Sequence, residues 1–156
     1  MGGSNAAPWS GILLAGVLAG GAWVVSGDAE AGTSAEGSVS RAGDFVYVAG
    51  VLGSPRGSME PAEGIEAQVR QALDNVREAL RGEGMDLSHV VRSNVYLSDS
   101  RNFQAMNEVY RTYFPNDPPT RATVEADLPV PGALVQVTMI AARPGVSRRR
   151  RMHSTG

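Results

Sequence analysis

The sequence predicts an α+β domain in which two amphipathic helices cover one face of a β-sheet. Three observations predict it. Residues 64–84 repeat apolar side chains at helical spacing, residues 133–142 alternate them at strand spacing, and a second helical stripe follows a second β-rich run. Two helices cover only one side of such a sheet, so its other side must be solvated or covered by something else.

Taken in order, residues 44–50 (DFVYVAG) are rich in β-branched and aromatic residues and are bounded by Gly43 and by Gly53-Ser54-Pro55, which reads as a strand and a turn. In residues 64–84, Ile65, Val69, Ala72, Leu73, Val76, Ala79 and Leu80 form one stripe, and Gly82 and Gly84 stop the helix. Residues 89–97 (HVVRSNVYL) read as a strand with Val91, Val95 and Leu97 on one face and Arg92, Asn94 and Tyr96 on the other. Ser98 or Asp99 caps the next helix, whose stripe is Phe103, Met106, Tyr110 and Tyr113 or Phe114, and Pro115, Pro118 and Pro119 end it. Strands at 120–126 and 133–142 flank the turn-like LPVPG. In the last strand Val135, Val137, Met139 and Ala141 make a wholly apolar face, and Leu134, Gln136, Thr138 and Ile140 a mixed one that calls for cover by another subunit. In the strand before it, Ala122, Val124 and Ala126 oppose Arg121, Thr123 and Glu125, and the apolar set is expected beneath the helices.

The ends have a different character. Residues 1–34 read as an apolar, Gly-rich extension and linker, 35–144 as the folded domain, and 145–156 as a tail with four arginines at 148–151. Residues 9–26 are uncharged over a length that approaches a membrane span, but no basic residue precedes them and their glycines weaken a helix. The expectation is a cytoplasmic protein whose membrane contact, if any, runs through residues 9–26.

Composition narrows the chemistry. There is no cysteine or lysine, so thiolate and Schiff-base catalysis are excluded, and imidazole is limited to His89 and His153. The net charge is -2 without a basic face, which argues against specific nucleic-acid binding. No P-loop, dinucleotide fingerprint, HExxH or GxSxG is present. His89 reads as a strand-edge residue. Arg121, at a strand start after Pro-Pro-Thr, is the conspicuous candidate, because a guanidinium grips a carboxylate through two parallel hydrogen bonds. The ordinary alternative is an arginine paired with Glu125 or solvent.

Taken together, GDFVYVAGVLG, IEAQVRQALDNVREAL, GMDLSHVVRSNVYLSD, FQAMNEVYRTYF and PPTRATVEADLP leading to VQVTMIAARP resemble the RidA (YjgF-type) reactive-intermediate deaminase family over about 110 residues. The resemblance implies a mixed, βαβ-type sheet with two helices on one face and a homotrimer with clefts between subunits. It implies hydrolytic deamination of 2-imino or 2-enamino acids released by pyridoxal-phosphate enzymes, with no cofactor and no metal. It makes Arg121 the carboxylate-holding arginine and Asn107 a cleft residue, although Asn107 equally suits a core amide. Thr123 takes the place of a small or thiol residue lining the cleft, and Ala49 and Gly50 match the strand end beside it. The chain departs from the family at Gln136, which stands where deaminating members carry a glutamate that activates water. Glutamine orients water but accepts no proton, which forfeits a general-base contribution of ~10²–10⁴-fold. Glu125 would substitute only if it reached the cleft. The expected function is therefore imine deamination with catalytic Arg121 and Gln136. Its alternatives are noncatalytic binding of a small carboxylate such as a keto acid, hydrolysis of another amide-like substrate, and the ribonuclease role of some relatives.

Overall fold

The computed structural model describes residues 38–146; the apolar run at 9–26, the linker and the arginines at 148–151 lie outside the described residues. Strands β1 (Ser38–Ala42) and β2 (Phe45–Leu52) are followed by helix α1 (Ile65–Gly82), then by β3 (Val90–Leu97), α2 (Phe103–Tyr113), β4 (Thr120–Glu125) and β5 (Val135–Ala142). The sheet order is β1-β2-β5-β3-β4. Every neighbouring pair is antiparallel except β3 and β4. Those two run parallel because α2 returns the chain between them as a crossover helix, which makes the sheet mixed.

The core lies between the helices and one sheet face. Val135, Val137, Met139 and Ala141 of β5 are buried there, as their alternation predicts, against Val69, Ala72, Leu73, Val76 and Leu80 of α1. Leu134, Gln136, Thr138 and Ile140 look out from the opposite, open face and are half-buried, and Phe45 and Tyr47 are exposed beside them.

Four expectations need correction. Residues Ser38–Ala42 form an edge strand that the sequence does not announce, because all five are exposed and no alternation marks a buried face. Gly43, at φ 57, makes the tight turn to β2. In β3 the inward residue is Val90 rather than Val91, since the register with β5 shifts between Val90 and Arg92; Ser93 is buried with it. In α2 the stripe is Met106, Val109, Tyr110 and Phe114, whereas Phe103 opens the helix and is exposed. The cap is Asp99, whose carboxylate accepts from the Arg101 N–H of a short 3-10 turn ahead of α2.

The fourth correction concerns β4. Its register places Arg121 beside Ser93, Thr123 beside Val95 and Glu125 beside Leu97, so these three share the helix-side face, and Ala122 and Val124 lie beside Asn94 and Tyr96 on the open face. Ala122 and Val124 are therefore not beneath the helices; Val124 is 49% exposed. The reason is position: of the strands, α1 packs against β2 and β5, and β4 is an edge strand, where a helix-side residue is free to be charged. Among the described residues no helix is long and apolar enough to cross a membrane.

Candidate functional site

Arg121 begins the site. Its guanidinium turns back over α2, where Nη2 donates to Asn107 Oδ1, Nη1 lies 3.8 Å from the Met106 sulfur, and the guanidinium carbon stands 4.5 Å from the centre of the Tyr110 ring. Positions 106, 107 and 110 share one side of the helix, so a single face of α2 supplies all three partners. Asn107 is almost fully buried and is thus both a core amide and the partner of Arg121. Thr123 follows on the same face of β4, half-buried. A pocket opens beside the guanidinium, lined by Tyr110, Arg111, Phe114, Pro118, Pro119 and Arg121.

Below the guanidinium the hydroxyls of Tyr110 and Ser93 are buried side by side, and neither forms a well-aligned hydrogen bond. Burial pushes the Tyr110 phenol above its ordinary range, against smaller opposing effects of Ser93 and the Arg121 charge, so it stays protonated at neutral pH.

Ala49, Gly50 and Gln136 form a second group. Between Val48 and Val51 the register of β2 on β5 shifts, and Gly50 sits there at φ +71, a conformation that side-chain-bearing residues rarely adopt. A Cβ on Gly50 would lie 3.6 Å from Gln136 Nε2, so the glutamine amide stands against the bulge. The loop that follows is clamped by buried amides of α1. Asn75 donates to the carbonyls of Leu52 and Ser54 at 3.1 and 2.9 Å. Gln68 donates to Ala62 and Gly132 and accepts from the Leu134 N–H at 2.7 Å, tying the β2 end to the β5 start.

One chain does not unite the two groups. Gln136 lies in register with Tyr96 and Arg121 with Ser93, which puts them three positions apart along β3 and on opposite faces of the sheet. Glu125 is engaged elsewhere: it accepts from the Ser100 N–H at 2.8 Å, and the Ser100 hydroxyl, with that N–H second, holds its carboxyl below the usual carboxylate range. It is not the partner of Arg121, and it is poorly suited to act as a base. His89 Nδ1 accepts from the Asp86 N–H at 3.0 Å and closes a capping box ahead of β3, a structural role at the strand edge. Among the described residues no group of three or more acidic or histidine side chains is placed to hold a metal. The sequence reading missed Tyr110, Ser93 and Met106 as surroundings of Arg121, since Tyr110 and Met106 looked like core stripe alone. The available signal was the crossover itself, which sets the start of β4 beside the middle of α2.

A family model described as Endoribonuclease L-PSP matches residues 31–143. A RutC family protein of Saccharolobus solfataricus is 38% identical over 104 residues, covering 66% of this chain and 82% of that protein. The 2-iminobutanoate/2-iminopropanoate deaminase of Rattus norvegicus is 32% identical over 99 residues, 63% of this chain and 72% of the rat protein. Among solved structures, RidA from an Antarctic Psychrobacter superposes with a TM-score of 0.64 at 33% identity, covering 67% of this chain and 85% of that one.

Proposed function

This chain belongs to the Endoribonuclease L-PSP family, the RidA/YjgF proteins, and from that membership we propose that it hydrolyses 2-imino and 2-enamino acids in the cytoplasm, in clefts shared between the subunits of a homotrimer. One relative bears the name of that activity, 2-iminobutanoate/2-iminopropanoate deaminase. The observation that carries the reading is the placement of Arg121: a guanidinium held from one side by Asn107 and Tyr110, on a residue that lines a pocket.

In this reading Arg121 takes the ligand carboxylate in a bidentate grip. Asn107 keeps the guanidinium in place, and Thr123 lines the cleft beside it. A second copy contributes the Ala49-Gly50 bulge and Gln136, because no single chain brings these to Arg121. The enamine tautomer first takes a proton at carbon to become the imine. Water held by the Gln136 amide then attacks the carbon of the protonated imine, a C–O bond forms, and the attacking water loses a proton to solvent. The resulting carbinolamine nitrogen is protonated, the C–N bond breaks as the hydroxyl oxygen forms the C=O bond and gives its proton to solvent, and ammonia and a 2-keto acid leave. Gln136 takes no proton in this sequence, so the protein accelerates the reaction by holding the reactants together rather than by general-base catalysis. The reaction is a hydrolysis and needs no cofactor.

Gln136 also favours a second reading, in which the cleft binds a small keto acid without turning an imine over. Purified protein added to 2-iminopropanoate and 2-iminobutanoate, generated in situ by a serine or threonine dehydratase, distinguishes the two. Faster keto-acid release supports the deaminase. A rate equal to that without protein supports the binding protein.

A further inference from the structure

We infer that Tyr110 is a positioning residue for Arg121, its ring fixing the guanidinium plane in the orientation that receives a planar carboxylate. The inference rests on the reading that Arg121 holds a ligand carboxylate. An arginine at a strand end ordinarily samples many rotamers and loses that freedom when a ligand arrives. Here the freedom is already restricted. The Tyr110 ring lies under the guanidinium at 4.5 Å, and Asn107 and Met106 take one side of the two terminal nitrogens. Of the five guanidinium N–H groups, those pointing away from α2 remain available for a ligand.

Tyr110 itself is immobile enough to serve as a platform. It is 3% exposed, and its ring packs on Phe114 with centroids 4.7 Å apart. Its hydroxyl reaches down beside Ser93, the residue in register with Arg121, and makes no well-formed bond there. The ring therefore performs the positioning, and the hydroxyl contributes little to it. A residue that served only to fill the core would be indifferent to whether Arg121 were present.

That indifference supplies the test. Keto-acid affinity is measured by calorimetry with 2-ketobutyrate for the full-length wild-type protein, Tyr110→Met, Tyr110→Phe, Arg121→Ala and the Tyr110→Met/Arg121→Ala double variant. Tyr110→Met is expected to weaken binding about tenfold, and Tyr110→Phe, which restores the ring, to recover what Tyr110→Met loses. In the Arg121→Ala background Tyr110→Met is expected to cost nothing further. Equal losses from Tyr110→Met with and without Arg121 overturn the inference, as does failure of Tyr110→Phe to rescue. An Arg121→Ala protein that binds as well as wild type overturns the carboxylate reading and this inference together. If Arg121→Ala abolishes binding while a folded Tyr110→Met does not weaken it, only the inference falls. Should Tyr110→Met fail to fold, the Arg121 Nε–H resonance of the wild-type protein, assigned by its loss in Arg121→Lys, decides. A ring-current shift away from the free-arginine position supports the platform, and an unshifted resonance contradicts it.

Discussion

Arg121 and Gln136 project from opposite faces of the same sheet, three positions apart along β3. No rotamer of either side chain brings their functional ends into one cleft within a chain, because strand side chains stand roughly perpendicular to the sheet. A site that uses both needs two copies. The half-buried Gln136, Thr138 and Ile140, with exposed Phe45 and Tyr47, form the mixed apolar and polar surface on which a second sheet would rest.

Ile140→Glu should accordingly separate the subunits while leaving the helix-side core intact. Sedimentation velocity is expected to give a trimer for the wild-type chain and a monomer for the variant at micromolar concentration. A wild-type monomer would contradict the shared cleft.

Restoring a carboxylate at position 136 tests the chemistry. Gln136→Glu is expected to raise imine deamination by ~10²-fold if a general base is what the cleft lacks. Steady-state release of 2-ketobutyrate measures it. A slower variant would mean that the glutamine amide contributes something the carboxylate cannot replace.

Gly53 carries a structural prediction. A Cβ there would come within 2.5 Å of the Gln68 backbone, on the residue that ties the β2 and β5 ends together. Gly53→Ala should cost about 2–3 kcal/mol and lower the Tm by roughly 10 °C. A Tm within a degree of wild type would show that the two segments separate freely.

Glu125 predicts a pH dependence. Its folded pKa lies below the ordinary value because it accepts from the Ser100 hydroxyl and, to a lesser degree, from the Ser100 N–H. Its contribution to stability is thus present above the unfolded carboxylate pKa, about 4.3, and is lost as pH falls through the lowered folded value. Glu125→Gln should be less stable than wild type at pH 7, with the difference shrinking below pH ~4. Chemical denaturation at both pH values reads this directly, and a gap independent of pH would contradict the assignment.

How much of this was legible in the sequence depended on where each strand sits. β5 is central and packed beneath α1, so its alternation divides true inside from true outside. β4 is an edge strand beyond the main helix cover; there polarity no longer reports the face, and its apolar residues point to the open side. β1 shows no alternation because neither of its faces is buried. Arg121 could be singled out by residue type and by its place after Pro-Pro-Thr, and the burial of Asn107 agrees with its reading as a core amide. Tyr110 could not be singled out, since a tyrosine at stripe spacing looks the same whether or not a guanidinium rests on it. Nor could the opposition of Arg121 and Gln136 be read, since it follows from strand order and register rather than from local pattern.

The most direct test of the shared cleft is complementation between two damaged chains. Arg121→Ala removes the carboxylate clamp, and Gly50→Trp fills the bulge against Gln136; each protein alone should have little activity. Unfolded together and refolded as mixed trimers, they should regain 2-iminobutanoate hydrolysis, because some clefts then combine an intact Arg121 from one copy with an intact Gly50 and Gln136 from another. Activity in the mixture no higher than the average of the two separate variants, with mixed trimers demonstrated by mass, would contradict a site built from two chains.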